Sequence, residues 1–261
     1  VGHDYSQPMP PSRQPLSAVL ITRDAAASIA ECLASVSFCD EILVVDSGSR
    51  DATREIARTH GARVIHQDWL GYGPQKQFAV EQAAHDWVLC VDADERVTPE
   101  LRASILAILP EPNCHAYRFA RCNRFMGRYL RHGEGYPDWS LRLFDRRDAR
   151  WSDDAVHEKV IPDGPVGTLA GDLLHDSAET LATYLAKQDR YTTLAAEAAL
   201  ADGRRASLVR QLLSPLVRFA KFYFLRLGFL DGWPGFVHIL IGCRNSYAKY
   251  GKMRSFRAEK S

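Results

Sequence analysis

The chain has 261 residues, 46% of them hydrophobic and 25% charged, with a formal net charge of +1. This is ordinary globular composition, which sets aside disordered and fibrous chains and suits one large domain or a domain with an appendage. The near-neutral sum hides an asymmetry: residues 1–203 carry 21 basic and 30 acidic side chains, and residues 204–261 carry 12 and 2. Such a split points to an acidic domain joined to a segment that meets something anionic, either nucleic acid or a membrane surface. The six cysteines form no CxxC pair, so reduced thiols are the simplest reading. No charged-then-apolar leader opens the sequence, and residues 1–15 are Pro-rich and polar, a loose tail.

From residue 16 the hydrophobic period alternates. "LSAVLIT" (16–22) reads as a strand, and "SIAECLASV" (28–36) has helical spacing at Ile29, Cys32, Leu33 and Val36. "EILVVD" (41–46) is a second strand, and "DATREIARTHG" (51–61) is a helix stopped by Gly61. "ARVIHQ" (62–67) is a third strand, "PQKQFAVEQAA" (74–84) a helix opened by Pro74, and "DWVLCVD" (86–92) a fourth strand. This rhythm means βαβ units and a mostly parallel sheet, whose ligands bind beyond the carboxyl ends of the strands. A helix follows near 99–109, then strands near 115–121, 140–145 and 168–174. From Ala178 onward the pattern is helical.

Two strands end in clustered acids: "ILVVDSGSRDAT" supplies Asp46 and Asp51, and "VLCVDADE" supplies Asp92, Asp94 and Glu95. Like charges at a sheet edge repel, and a hard divalent cation such as Mg²⁺ or Mn²⁺ relieves that repulsion while leaving positions for phosphate oxygens. The bland alternative is that Asp92 caps the next helix and the others are solvated. Small residues and hydroxyls in "DSGSRDAT" suit close approach of a nucleotide, although Asp51 also suits a helix N-cap. The first βα turn, "ITRDAAAS", lacks the GxGxxG of a dinucleotide fold, and no GxxxxGK[ST] supports a P-loop.

"VLITRDAAASIAECLASV", "VVDSGSRDAT" and "CVDADE", in this order and spacing, resemble the donor-binding half of family 2 glycosyltransferases of the GT-A fold. "GYPDWSLRLF" (135–144) and "VHEKV" (156–160) are similar to the bacterial branch that adds sugars, typically a β-linked glucose on heptose, to the lipopolysaccharide core. The resemblance runs from about residue 16 to 250. It implies that Thr22 and Asp46 hold the base and ribose, that Ser47, Gly48 and Asp51 shape that pocket, and that Lys76 faces the base or diphosphate. It places Asp92 near the ribose or metal and makes Asp94 the principal metal ligand. The chain departs from the family where Asn-Glu commonly follows the first strand; Asp24 and Ala25 stand there. Inverting transfer needs a base for the acceptor hydroxyl. Asp138 matches the family's acceptor-side carboxylate, and Glu134 is its rival. Arg142 either approaches the diphosphate or makes a surface salt bridge. His157 is a candidate third metal ligand and His175 a weaker one; Trp69, Trp139 and Trp151 stack on sugars or pack in the core.

The sequence therefore predicts a polar tail (1–15), a GT-A α/β catalytic domain (16–176) and a basic, helical, membrane-associating region (177–261). The resemblance implies inverting, metal-dependent transfer from UDP-glucose to a lipid-linked saccharide, the heptose of the lipopolysaccharide inner core. Its place is the cytoplasmic face of the bacterial inner membrane, as a peripheral protein. Rivals are transfer onto polyprenyl phosphate and a non-catalytic nucleotide-sugar or membrane binding module. In the basic region a helix over 208–227 carries Arg210, Arg218 and Lys221 on one side and a broad aromatic face elsewhere. Charges interrupt it too often for a span, and "GFVHILIGC" (235–243) is too short, so it is expected to lie in the interface of an anionic membrane. Nucleic acid offers exposed Phe and Leu no partner and is not expected as a ligand.

Overall fold

The computed structural model describes residues 13–154, 158–177, 180–204 and 206–258. They form two compact units, one made of residues up to Arg121 with Trp139–Leu174, the other of Cys122–Asp138 with the chain from His175 onward. The boundary expected at 176/177 thus falls at 174/175. The excursion 122–138, expected within the catalytic domain, belongs with the C-terminal helices instead.

The first unit opens with β1 (Leu16–Thr22), α1 (Ile29–Ser35), β2 (Glu41–Asp46), α2 (Thr53–Thr59), β3 (Arg63–His66), α3 (Tyr72–Glu81) and β4 (Trp87–Cys90). It continues with β5 (Glu95–Val97) and α4 (Pro99–Ile108), and β6 (Ala116–Phe125) leads out of it. After the short β7 (Arg128–Tyr129) of the second unit, β8 (Asp138–Asp145), β9 (Ala149–Trp151), β10 (Val160–Pro162) and β11 (Val166–His175) complete the strands. The main sheet has the order β3-β2-β1-β4-β8-β6-β11-β5, while β9 and β10 form a separate antiparallel ribbon. The four predicted βαβ strands pair in parallel, with Thr22 opposite Asp46 and Val19 opposite Cys90. β8 is antiparallel to β4, pairing Leu89 with Leu143. That register brings Arg142 to the carboxyl end of β4.

Side chains alternate across the strands, as a pleated backbone requires. Ala18, Leu20, Val44 and Leu89 face one way, against Ile29 and Leu33 of α1, Ala57 of α2, and Leu101 and Ile105 of α4. Val19, Leu43, Val45 and Val88 face the other way, against Ala79 and Val80 of α3. Sheet strands buried on both faces explain the near-continuous apolar runs of the sequence. Thr98 accepts the Leu101 amide and Pro99 takes the first turn, which starts α4 sharply. At Gly73, in the first turn of α3, a Cβ would land on the Ser152 carbonyl, so glycine permits the approach of α3 to the chain after β9.

The second unit contains α5 (Leu181–Ala201), α6 (Leu208–Phe219), a π-helical turn (Ala220–Leu225), a 3-10 turn (Gly228–Asp231) and α7 (Gly232–Ala258). The single helix expected over 208–227 is broken: α6 passes into the wider π turn and Leu227 adopts a left-handed φ of 55°. "GFVHILIGC" lies inside the 27-residue α7. The excursion 122–138 is tied to the helices by charge. Asp231 accepts amides from Arg131 and His132, and Glu134 is clamped by the Arg218 guanidinium through Nε at 3.0 Å and through Nη2. Gly242 lies against that clamp, where a Cβ would overlap the Glu134 carboxylate. Because Arg218 holds the carboxylate in place, it cannot yield cheaply. Gly242→Ala is expected to lower the unfolding free energy by about 1–3 kcal/mol, the usual cost of overpacking. Urea denaturation reads this, and an unchanged midpoint would show that the clamp yields.

Candidate active site

Asp46 ends β2 with its side chain fully buried. Its Oδ1 accepts the amides of Gly48 at 3.1 Å and Ser49 at 3.0 Å, and its Oδ2 accepts the Ser49 hydroxyl and, more weakly, that of Thr22 at 3.4 Å. An ionised carboxylate has about four acceptor positions, so the loop fills them and Asp46 serves as its keystone. Gly48 takes a φ of 87° inside this turn. The neighbouring loop after β1 is laced to it: Asp24 accepts the Arg50 amide at 2.7 Å, and the Ala25 and Ala26 amides donate to Thr53 and Asp51. Asp51 also accepts the Thr53 amide at 3.0 Å, in a position just ahead of α2. Ser47 accepts a bond from Gln75, a fully buried α3 residue that sequence reasoning missed; Gln75 in turn accepts the Leu70 amide.

The carboxyl end of β4 answers why acids gather there. Asp92 lies between two cations: its Oδ1 is 3.2 Å from Lys76 Nζ, and its Oδ2 is 3.0 Å from Arg142 Nη2. Lys76 also meets Glu158 at 3.0 Å, and both cations rest on the face of the buried Trp151, at 4.8 and 5.4 Å from the ring centre. Glu95 is fully buried and accepts the Asp92 amide at 3.0 Å, with Arg121 3.6 Å from its other oxygen. Burial alone would raise the Asp92 pKa, but Arg142 and Lys76 overcome it and hold the carboxyl well below the usual range. Burial instead prevails at Glu95, whose pKa is raised, with the Asp92 charge adding to the rise. Arg142 is therefore a buried partner of Asp92 and not a surface salt bridge. Its Nη1 has no hydrogen-bond partner among the described residues, and the residue lines a cavity of about 10 Å³ together with Val19, Ile21 and Cys90.

The metal expectation rests on Asp92 and Asp94. Both Asp92 oxygens are engaged by cations, and Asp94 is half-buried at the same turn. His157 lies outside the described residues. Among the described residues the set of three potential ligands within reach of one ion is His115, Asp145 and Asp148. It lies at the other end of β4, where Asp145 pairs with Trp87, and Arg147 already holds the Asp145 carboxylate through three donors.

In the second unit, Asp138 starts β8 and accepts the Asn123 amide at 3.2 Å, while Asn123 Oδ1 lies 2.8 Å from His175 Nδ1. Three adjacent strands, β8, β6 and β11, thus join an acid, an amide and an imidazole. Asn123 was not singled out in the sequence, because nothing local marks it. Glu134, the rival base, is instead the carboxylate clamped by Arg218. Trp69 and Trp139 are exposed, and Trp151 is core.

Residues 17–160, more than half of the chain, match the family model described as glycosyl transferase family 2. The chain belongs to this family. It is 30% identical over 255 residues to the lipopolysaccharide core biosynthesis glycosyltransferase LpsC of Rhizobium meliloti (strain 1021), covering 95% of this chain and 94% of that protein. It is also 30% identical over 252 residues to an uncharacterized glycosyltransferase of Rickettsia typhi (strain ATCC VR-144 / Wilmington), covering 92% of this chain and 86% of that one. The protein is a glycosyltransferase with an α/β fold of the GT-A kind.

The buried pair sets a measurable pH dependence. Arg142→Leu is expected to destabilise this family 2 enzyme by roughly 3 kcal/mol at pH 7, near the lower end for a broken buried pair because Lys76 remains. Asp92 titrates near pH 3.9 when unfolded and lower when folded, so its stabilisation is complete above about pH 4 and is lost as pH falls through the depressed value. The wild type should accordingly lose stability as pH falls below about 4, and Arg142→Leu, in which Lys76 alone holds Asp92 down, should lose less over the same range. Equal losses in the two proteins would contradict the pairing.

Proposed function

We propose that this glycosyltransferase moves glucose from UDP-glucose, with inversion, onto a lipid-linked saccharide, the heptose of the lipopolysaccharide inner core. The observation that carries the donor half of this reading is the pair of buried cations, Lys76 and Arg142, at the carboxyl edge of the sheet. Open α/β sheets bind ligands at that edge, and a departing diphosphate needs positive charge. In this reading Thr22, Ser47, Gly48 and Asp51 line the nucleoside pocket and Asp46 holds its loop in shape. Asp92 keeps Lys76 and Arg142 in place beside the diphosphate. Asp94, with His157 as a further candidate, would hold Mg²⁺ or Mn²⁺, which when bound offsets charge on the leaving group. Asp138 takes the proton of the acceptor hydroxyl as its oxygen attacks the anomeric carbon, and the Asn123 amide orients the carboxylate. Glu134, committed to Arg218, serves the architecture of its own unit.

The acceptor half is supported by the likeness to LpsC and by the surface of the C-terminal helices. Leu216, Val217, Leu225 and Trp233 are each at least 65% exposed, an apolar display that water does not favour. Lys221, Arg226, Arg244 and Lys249 lie among these helices. Among the described residues no single helix is long and apolar enough to cross a membrane, and α6 with its π turn is bent by 75° from the following helical segment. An amphipathic, basic element of this kind resting on the cytoplasmic face of an anionic inner membrane fits both features.

Asp138→Asn keeps the shape but cannot accept a proton, so kcat should fall by roughly a hundredfold or more while UDP binding changes little. A normal kcat alongside an inactive but folded Glu134→Gln would move the base to Glu134. Asp94→Ala should lose metal-stimulated transfer while the fold survives. Turnover near wild type with Mg²⁺ or Mn²⁺ would rule out Asp94 as the metal ligand.

A further inference from the structure

We propose that the groove between α6 and α7 is a binding site for a single phosphorylated lipid, distinct from general adsorption of the helices to a bilayer. The inference rests on the reading that this enzyme works at a lipid surface, and it names a site and a ligand class for it. The groove has a volume of about 470 Å³ and lies wholly within the second unit.

Its long wall is made by α6. Val209, Leu213 and Val217 recur every four residues, so they stack as one apolar rail of about 12 Å along the helix. All three are more than half exposed, although each is a side chain that gains from burial. Beside this rail runs a second one, Arg210, Ser214 and Arg218, continued by Lys221 on the π turn. Ser246 and Tyr250 of α7 close the far side, and Ser214 and Ser246 hydrogen-bond across the groove at 2.9 Å. An apolar rail alongside a cationic and hydroxyl rail matches an acyl chain joined to an anionic head.

Charge identifies the head as anionic and locates it. Among the described residues no carboxylate lines the groove. Arg218 spends its charge on Glu134, whereas Lys221 has no ion-pair partner among the described residues. The Lys221 ammonium instead lies 5.3 Å from the centre of the Phe222 ring, which also lines the groove. A long cationic side chain at an apolar margin presents its charge to a phosphate while its stem covers hydrocarbon. We therefore place the phosphate at the Lys221 end and the acyl chain along Val217, Leu213 and Val209.

Photolabelling tests the site. The full chain is incubated with phosphatidylcholine vesicles containing one-fifth phosphatidic acid and a trace of phosphatidic acid bearing a diazirine on its acyl chain, then irradiated, sedimented and mapped by mass spectrometry. Label is expected within 209–222 and 246–250, displaced by excess unlabelled phosphatidic acid and not by phosphatidylcholine. Lys221→Gln should reduce that label about fivefold, the factor that one cation near an anionic surface contributes, while sedimentation persists through the apolar bend. Vesicle binding with label confined to Leu225–Trp233 would overturn the groove and leave the membrane reading standing. Groove label obtained in detergent micelles without vesicle sedimentation would support the groove and remove the membrane reading. Neither sedimentation nor groove label would overturn both.

Discussion

The first unit depends on one ion-paired carboxylate. Asp92 sits where several elements meet: the end of β4 that carries it, α3 with Lys76, β8 with Arg142, β9 with Trp151, and Glu158 just ahead of β10. A carboxylate that close to Glu95 and Asp94 would be repelled without compensation, and two buried cations without an acid would be worse off still. Each charge is tolerable only because the others are present. The consequence for chemistry is that two cations stay fixed at the carboxyl edge of the sheet without reorganisation, the condition under which electrostatic stabilisation of a leaving group is effective.

The loops after β1 and β2 follow the same economy of fixed groups. Asp46 is filled by its own loop, Gln75 joins that loop to α3, and α3 carries Lys76. A change at Gln75 or Gly73 would therefore displace Lys76 without touching it. In the second unit the two carboxylates singled out by the sequence are distinguished by their partners. Glu134 is locked to a guanidinium, and Asp138 takes a bond from the Asn123 amide.

The parallel core was legible because strands buried on both faces leave apolar runs, and helices between them leave a 3.6-residue period, at Ile29, Cys32 and Leu33 for example. The acids at the strand ends were equally visible, since clustered charge after an apolar run is a local signal. Their partners were not. Lys76, Arg142 and Glu158 are separated from Asp92 by 16, 50 and 66 residues in sequence, and only the antiparallel register of β8 on β4 reveals why Arg142 arrives there. Asn123 and Gln75 carry no periodic or compositional mark. The break of the helix after Phe219 was hidden as well, because "AKFYFLRL" continues the apolar face without a Pro or Gly until Gly228. The allegiance of residues 122–138 to the C-terminal helices rests on Glu134–Arg218 and on the bonds to Asp231, contacts made over 84 or more residues.

The most direct measurement of the central claim is calorimetric titration of the full chain with UDP, with and without Mn²⁺, for the wild type and for Lys76→Met. If Lys76 and Arg142 receive the donor diphosphate, the wild type binds UDP, Mn²⁺ tightens the binding, and Lys76→Met, shown to be folded by circular dichroism, weakens it at least tenfold. Equal affinity in wild type and a folded Lys76→Met, or no binding of UDP by the wild type under either condition, would contradict the placement of the donor at this charge cluster.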